Sequence, residues 1–145
     1  GMMVSLVPPG HVHECWPSVQ EFMDKAAEYT FGRYHEDDIY DLVTQRPDYN
    51  LWVAFEEGPV YYGAVVTSIT EYPNKRVLAM QFCGGDEIDR WKDPMLALLR
   101  RWAKDTQCDA IEFTGRKGWV KLFANDGNQV QWVTCELPLG DSNAA

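Results

Sequence analysis

The most unusual chemical cluster in the sequence is a pair of cations between two glycines, followed directly by an indole. It reads Gly115-Arg116-Lys117-Gly118-Trp119 and follows a short segment of strand type. Binding sites of α/β proteins gather where strands end. A guanidinium forms a planar fork for an oxyanion, and an indole forms a flat apolar wall. We interpret Arg116, Lys117 and Trp119 as an anion or ligand site; a tight turn with a core tryptophan and solvated charges is the alternative that stays open.

Two other places carry residue types that catalyse reactions or bind metals. Glu112 alternates with Ile111 and Phe113, so its carboxylate points either to solvent or into a cleft, where it would act as a base. It is the one catalytic candidate. His11 and His13 would share one face of an extended segment. No third ligand can be named for them, so we predict no metal site.

The composition is that of one acidic globular domain over residues 1–145. Hydrophobic residues make up 46% and charged residues 24% of the chain, which excludes a disordered or fibrous protein. The net charge of −9 disfavours nucleic acid as a partner, because phosphate contacts need a positive surface. Residues 1–72 hold three basic and twelve acidic side chains. A basic protein therefore fits as a partner, and an anionic ligand should prefer the second half.

The sequence predicts a cytoplasmic protein. It contains no run of about 18 apolar residues that could span a membrane, and no leader is visible. The four cysteines form no C-x-x-C pair, so we expect reduced thiols. Gly1 before Met2 looks like a residue left by expression, and the tail 140–145 is expected to be disordered.

The apolar periodicity predicts an α+β order of elements. Strands are expected at 3–7, 51–55, 60–70, 77–82, 110–114 and 130–137, and helices at 12–26, 36–43, 95–102 and 119–125. The three middle strands should form an antiparallel meander. Pro17 is compatible with the first helix only in its first turn. The glycine pair before the third helix predicts a crossover between parallel strands that end at Phe82 and Thr114 and splay apart there.

This order of elements resembles the GNAT N-acetyltransferase superfamily over about residues 3–137. The family motif Q/R-x-x-G-x-G/A sits where the fourth strand meets the next helix. At that junction the chain has Gln81, Phe82, Cys83, Gly84, Gly85 and Asp86. The resemblance implies a mixed twisted sheet, acetyl-CoA held by these six residues through its diphosphate, and acetyl transfer to an amine that the sequence does not identify.

Two departures from the family pattern lie at this junction and just after it. Asp86 stands where the family has Gly or Ala, and Glu87 and Asp89 add two more negative charges. These carboxylates would repel the diphosphate of the cofactor. They are also good residues for the start of a helix, because the helix dipole favours them without any ligand. We prefer the second interpretation.

The last helix also departs from the family, which usually shows N-x-x-A, an aromatic residue and a Gly-Phe pair. With Gly127 aligned to the family glycine, Phe123 takes the place of a tyrosine that can act as a general acid. Trp119 takes the place of a small residue and would narrow the cofactor path. Arg116 replaces Asn, and Asn128 replaces Phe. The run from Gly115 is most similar to that of small phage-encoded members.

Two functions therefore stay open. The first is an acetyltransferase-like protein whose cofactor site is degenerate, so that acetyl-CoA binds weakly or not at all. The second is a non-catalytic interaction or assembly module of the same fold, possibly encoded by a phage. In either case we expect Arg116 and Trp119 to line the site.

Overall fold

The computed structural model describes residues 1–140 and has the predicted α+β architecture. Its elements are β1 Met3–Val7, α1 Val12–Glu28, α2 Glu36–Gln45, β2 Tyr49–Glu56, β3 Val60–Tyr72, β4 Lys75–Gly85, α3 Ile88–Asp105, β5 Ala110–Phe113 and α4 Lys117–Leu122. The chain forms two compact units, Gly1–Gly115 and Arg116–Ala145. The single domain over 1–145 stays a prediction. Within residues 1–140 no helix has the length and apolar character needed to cross a membrane.

The first unit contains a five-stranded sheet in the order β1-β2-β3-β4-β5. Its first four strands pair with one another in antiparallel fashion, so the predicted meander is confirmed. The fifth strand lies parallel to β4, with Val77 opposite Ala110 and Met80 opposite Phe113. The predicted crossover is also confirmed, because parallel neighbours need a long connection and α3 supplies it.

One face of the sheet is covered by α1 and α2. The apolar residues of α1 recur at steps of three and four, and Val12, Trp16, Val19 and Met23 are all buried. They pack with Ile39 and Val43 of α2 against the buried side chains that alternate along the middle strands. The helical and strand periods of the sequence thus meet in one core.

Pro17 corrects one prediction, because it does not lie in the first turn of α1. The helix begins at Val12, directly after a 3-10 turn at Pro9–His11, so Pro17 is an interior residue. A proline there removes the helical donor for the carbonyl of His13. His13 is exposed, so water can satisfy that carbonyl and the helix continues.

The opposite face of the sheet packs against α3. Trp52 alternates with the residues that face α1 and is 1% exposed. Its indole N–H donates to Thr67 Oγ1 at 2.8 Å, and its ring meets Trp102 of α3 edge to face at 5.5 Å. The prediction of a helix at 95–102 is confirmed, although α3 begins earlier and contains Pro94 in its interior.

The second unit contains α4 and a 3-10 turn at Ala124–Asp126, close to the predicted short helix. The predicted strand at 130–137 is wrong, since residues 130–137 have no regular structure. Alternation alone does not make a strand, because a strand needs a partner edge. In the described residues no strand pairs with this segment, and Trp132 and Val133 are 64% and 78% exposed. The predicted disordered tail falls largely on 141–145, outside the described residues.

The main chain of α1 passes very close to β4 at Gly84. A Cβ on Gly84 would lie 2.3 Å from the carbonyl oxygen of Phe22. The obstacle to the added Cβ is a backbone atom of α1, so no side-chain rotation can relieve the contact. Gly84 is therefore required by packing alone.

Replacing Gly84 with Ala should lower the free energy of unfolding by about 1–3 kcal/mol or more, because α1 has to move away from the sheet. Gly10→Ala is the matched control, since nothing lies within 4 Å of a Cβ there. The control should change the free energy of unfolding by less than about 0.5 kcal/mol. Urea denaturation measures both. Equal stabilities of the two variants would contradict the contact.

Candidate active site

The parallel pair of strands opens at one end, and this opening defines the candidate site. Pairing of β4 with β5 stops at Met80 and Phe113, where β5 ends. β4 continues for five more residues, 81–85, paired only with β3. We call these five residues the splay edge, because their side away from β3 has no strand beside it in the described part of the chain.

The hydrogen bonds to β3 fix which backbone groups face the opening. The N–H of Asp86 donates to the carbonyl of Tyr62 at 2.7 Å. Gly63 and Gly85, one position earlier, are therefore a non-hydrogen-bonded pair of the antiparallel ladder. The backbone groups of such residues point away from the partner strand. Those of Cys83 and Gly85 are thus directed to the splay edge.

The start of α3 is built differently from an anion cradle. The N–H of Asp86 is taken by Tyr62, and its carbonyl accepts the indole N–H of Trp91 at 2.9 Å. Glu87 has a left-handed backbone (φ 51°) and precedes the first helical residue. Of the backbone groups expected to hold the diphosphate, those of Asp86 are thus engaged within the protein.

One cation lies among the carboxylates at this helix start. Arg90 forms ion pairs with Glu56 and, at 3.5 Å, with Glu87. Its guanidinium also lies over the ring of Tyr62, 4.8 Å from the ring centroid. These contacts anchor α3 to the adjoining strands and direct the cation toward protein carboxylates.

A row of polar groups begins at a bulge in β4. The register of β3 and β4 shifts at Gln81, which is the extra residue. Its amide N–H donates to Ser68 Oγ at 3.0 Å, and Ser68 is also hydrogen-bonded to the Tyr49 phenol. Burial is the main cause that raises the pKa of Tyr49 above its ordinary value. The first residue of the motif therefore binds a neighbouring strand, and the row lies beside the opening.

A cavity of about 400 Å³ lies near this row, beside α2. It is lined by Arg33, Tyr34, Asp38, Asp41, Leu42, Gln45 and Arg46. The ring of Tyr34 packs in a T-shaped arrangement against the ring of Phe82, which belongs to the splay edge, with ring centroids 5.1 Å apart. The cavity thus shares one wall with the splay edge, and its lining combines two carboxylates with two guanidinium groups.

Sequence reasoning did not single out Tyr34 and Tyr49. Each lies beside an element boundary: Tyr34 precedes α2, and Tyr49 begins β2. Residues at such boundaries often line sites, and that is the signal that could have found them.

Glu112 lies on β5 opposite Ala79, and its carboxylate is engaged at the far end of the hairpin. The hydroxyl of Tyr72 lies 3.1 Å from each of its two carboxylate oxygens. This hydrogen bond is the main cause that raises the pKa of Tyr72 above its ordinary value. Tyr72 pairs with Lys75, the first residue of β4, whereas Gly85 is the last residue of that strand. Glu112 is therefore bound at the end of β4 that lies away from the splay edge. A catalytic role for Glu112 stays a prediction.

The second unit contains the predicted ligand residues Arg116, Lys117 and Trp119. Arg116 is the residue before α4, Lys117 is its first residue, and Trp119 lies within it. The ring of Trp119 meets Phe123 edge to face at 6.4 Å, and Phe123 is buried. These contacts fit the packing role of Trp119. A ligand at Arg116, Lys117 and Trp119 stays a prediction.

The remaining sequence candidates do not come together in one place. Residues 1–140 contain no group of three His, Cys, Asp or Glu side chains placed to hold a metal ion. His13 Nδ1 lies 3.1 Å from the hydroxyl of Tyr40, and His11 lies beside Glu14 at 3.7 Å. The four cysteines are free thiols, and Cys135 is exposed.

Replacing Glu112 with Gln should lower the pKa of Tyr72 toward its ordinary value. The charged acceptor, which makes loss of the phenol proton unfavourable, is then gone. The Tyr72 resonance, assigned with Tyr72→Phe, is followed by NMR against pH. Glu57→Gln, in the turn between β2 and β3, is the control and should leave the pKa unchanged. An unchanged pKa in Glu112→Gln would show that the pair does not form in solution.

Comparisons with known proteins agree with this geometry at the level of the fold. No protein-family model matches the sequence, and no curated protein is recognisably similar to it. Solved structures do match. A tetramutant of the BH1408 protein from Bacillus halodurans has a TM-score of 0.72 at 15% identity, covering 94% of this chain and 99% of that one.

Two of the matching structures carry acetyltransferase names. The ribosomal-protein-alanine N-acetyltransferase from Brucella melitensis biovar Abortus has a TM-score of 0.69 at 14% identity, with 95% and 99% of the two chains covered. The aminoglycoside N-acetyltransferase AAC(6')-Iy in complex with CoA has a TM-score of 0.69 at 16% identity, with 96% and 95% covered. The resemblance stated from the sequence is therefore confirmed for the architecture: this chain has the fold of the GNAT acetyltransferases.

Proposed function

We propose that this protein binds acetyl-CoA weakly at the splay edge and transfers the acetyl group to an amine. The observation that carries the proposal is the opening of β4 and β5 beyond Met80 and Phe113, in a fold that acetyltransferases share. An extended ligand that carries amide groups can add to such an edge as a strand does. The acyl-pantetheine arm of acetyl-CoA is a ligand of this kind.

The splay edge fits the arm of the cofactor. Gly85 directs its backbone N–H and C=O toward the opening, since its pair with Gly63 is a non-hydrogen-bonded one. The edge spans five residues, or about 17 Å at 3.4 Å per residue. This length accommodates two amides and the thioester. When bound, the cofactor supplies an activated acyl group.

The start of α3 fits the diphosphate poorly. Asp86 uses its N–H on Tyr62, and the side chains of Asp86, Glu87 and Asp89 are negative. Arg90 is paired with protein carboxylates. Like charges brought together at an interface can cost several kcal/mol. Affinity should therefore come from the arm rather than from the phosphates.

The acceptor amine would enter from the side of α2. The 400 Å³ cavity places the carboxylates of Asp38 and Asp41 beside two guanidinium groups, which suits a polar amine substrate, and Tyr34 joins it to the splay edge. An amine attacks only in its neutral form, so the proton of its ammonium must leave first. The polar row from Gln81 to Tyr49 leads away from the splay edge and is the route we assign to this proton.

Calorimetry with two donors tests this proposal. S-acetyl-pantetheine, which lacks the diphosphate, should bind with a dissociation constant within about tenfold of that of acetyl-CoA. Both constants should be near 0.1–1 mM, on the order of −4 to −5.5 kcal/mol. A micromolar dissociation constant for acetyl-CoA alone would show that a phosphate site exists. Lack of binding by both donors would exclude the acetyl-transfer function.

Removing charge at the helix start should strengthen binding of acetyl-CoA. The double variant Asp86→Asn with Asp89→Asn keeps the backbone contacts of Asp86 and removes two negative charges. Its affinity for acetyl-CoA at low salt should rise by about tenfold, since each removed repulsion is worth on the order of 0.5–1 kcal/mol. Affinity for S-acetyl-pantetheine should not change. A matched loss of charge elsewhere, Glu28→Gln with Glu57→Gln, is the control.

A second function, a non-catalytic interaction or assembly module, is favoured by one observation. Both backbone groups of Asp86 are used inside the protein, so the motif holds the fold together without any ligand. A basic protein would suit the acidic first half of the chain. Failure of both donors to bind in calorimetry, with the chain folded, would select this function.

A further inference from the structure

A second cavity lies in the groove between α1 and α2 and shares only Asp41 with the acceptor cavity of the proposed function. Its volume is about 590 Å³, within the range of small-ligand sites. It is lined chiefly by Trp16 and Gln20 of α1 and by Glu36, Asp37, Tyr40 and Asp41 of α2. No residue of β4 or β5 takes part. The cavity is therefore separate from the splay edge.

Aromatic rings form one wall of this cavity. Trp16 and Tyr40 meet edge to face, with ring centroids 5.2 Å apart. The hydroxyl of Tyr40 is held by His13 Nδ1 at 3.1 Å. The ring arrangement thus belongs to the packing of α1 on α2 and exists before any ligand arrives. Aromatic faces attract cations and also pack against aliphatic chains.

Three carboxylates of α2, those of Glu36, Asp37 and Asp41, also line the cavity. The indole N–H of Trp16 donates to Glu36, which fixes that carboxylate beside the rings. In the described part of the chain, Glu36, Asp37 and Asp41 form no ion pair with a lysine or arginine. Burial, followed by the neighbouring Asp37, raises the pKa of Glu36 above its ordinary value. Negative charge is thus concentrated at a concave surface, and none of its three carboxylates forms an ion pair with a lysine or arginine among residues 1–140.

We propose that this cavity binds a primary alkylammonium group. The carboxylates of Glu36 and Asp37 take the ammonium, and the methylene stem lies on the aromatic wall. A bare metal ion does not use such a wall, and no set of three metal ligands is present among residues 1–140. The group comes either from a free polyamine or from a lysine side chain, and both offer the same chemistry to the site.

Titration of the full chain with spermidine at low salt tests the proposal, by calorimetry and by NMR of the indole N–H groups. We expect saturable binding and a shift of the Trp16 indole resonance, while the resonance of Trp132 in the second unit stays in place. Asp37 is exposed and Glu36 lies in the first turn of α2, so Glu36→Gln with Asp37→Asn should fold. It should weaken binding by about tenfold or more.

The control is Glu28→Gln with Glu57→Gln, which removes the same charge from exposed positions outside the cavity. It should change the affinity for spermidine by less than about twofold. Equal losses in the two double variants would overturn the proposal, since spermidine would then be a counterion of the whole surface. Competition by Mg²⁺ at the same concentration as spermidine would overturn it as well.

A capped lysine tripeptide separates the two sources of the ammonium group. Binding of the tripeptide with the same shift of Trp16 and the same loss in Glu36→Gln with Asp37→Asn would assign the cavity to lysine side chains. Binding of spermidine alone would assign it to free polyamines. If neither ligand saturates the Trp16 shift, the proposal is wrong. Acetyl-CoA should not displace either ligand, whether or not it binds elsewhere.

Discussion

The end of β4 is held between a helix and a strand, and this constraint organises the first unit. On one side, the carbonyl of Phe22 in α1 occupies the space that a side chain at Gly84 would need. On the other, the N–H of Asp86 binds the carbonyl of Tyr62 in β3. α1 can therefore cover its face of the sheet at close range, and β4 stays extended past the last residue of β5. The opening between the parallel strands follows from this.

The same constraint decides what the candidate site can bind. Backbone groups that are used to hold α3 and β3 together are not available to phosphate oxygens, and the carboxylates at the helix start oppose any that approach. The edge of β4 has different properties, because its direction is set by the ladder with β3 and β5 stops short of it. Under the proposed function, a site of this shape would discriminate between the two halves of a nucleotide thioester. The arm would lie along an extended edge, whereas the diphosphate would meet like charge.

The uneven distribution of charge acts on a separate surface. The acidic excess lies entirely in residues 1–72, and much of it is on α1 and α2. Where the two helices pack, Trp16 orients Glu36 at the edge of a cavity, so excess charge is concentrated next to aromatic rings. At the start of α3, in contrast, Arg90 partly balances the carboxylates. The two acidic regions therefore differ in their local electrostatic potential, although both are simply runs of Asp and Glu in the sequence.

The sequence by itself determined most of the elements. Apolar residues at helical steps located α1 and α2, and alternation with turn residues located the meander, since burial on one face imposes these periods. The glycine turn before α3 also predicted the parallel pair of β4 and β5. The predictions for Pro17 and for the segment 130–137 were wrong. The first depended on whether the carbonyl of His13 is exposed to water, and the second on whether a partner strand is present. Neither is a local property of the sequence. Only the tertiary structure decided the meaning of Gly84 and Asp86. A glycine at position 84 leaves space that either a phosphate or a helix carbonyl can occupy. In this fold the backbone carbonyl of Phe22 occupies it.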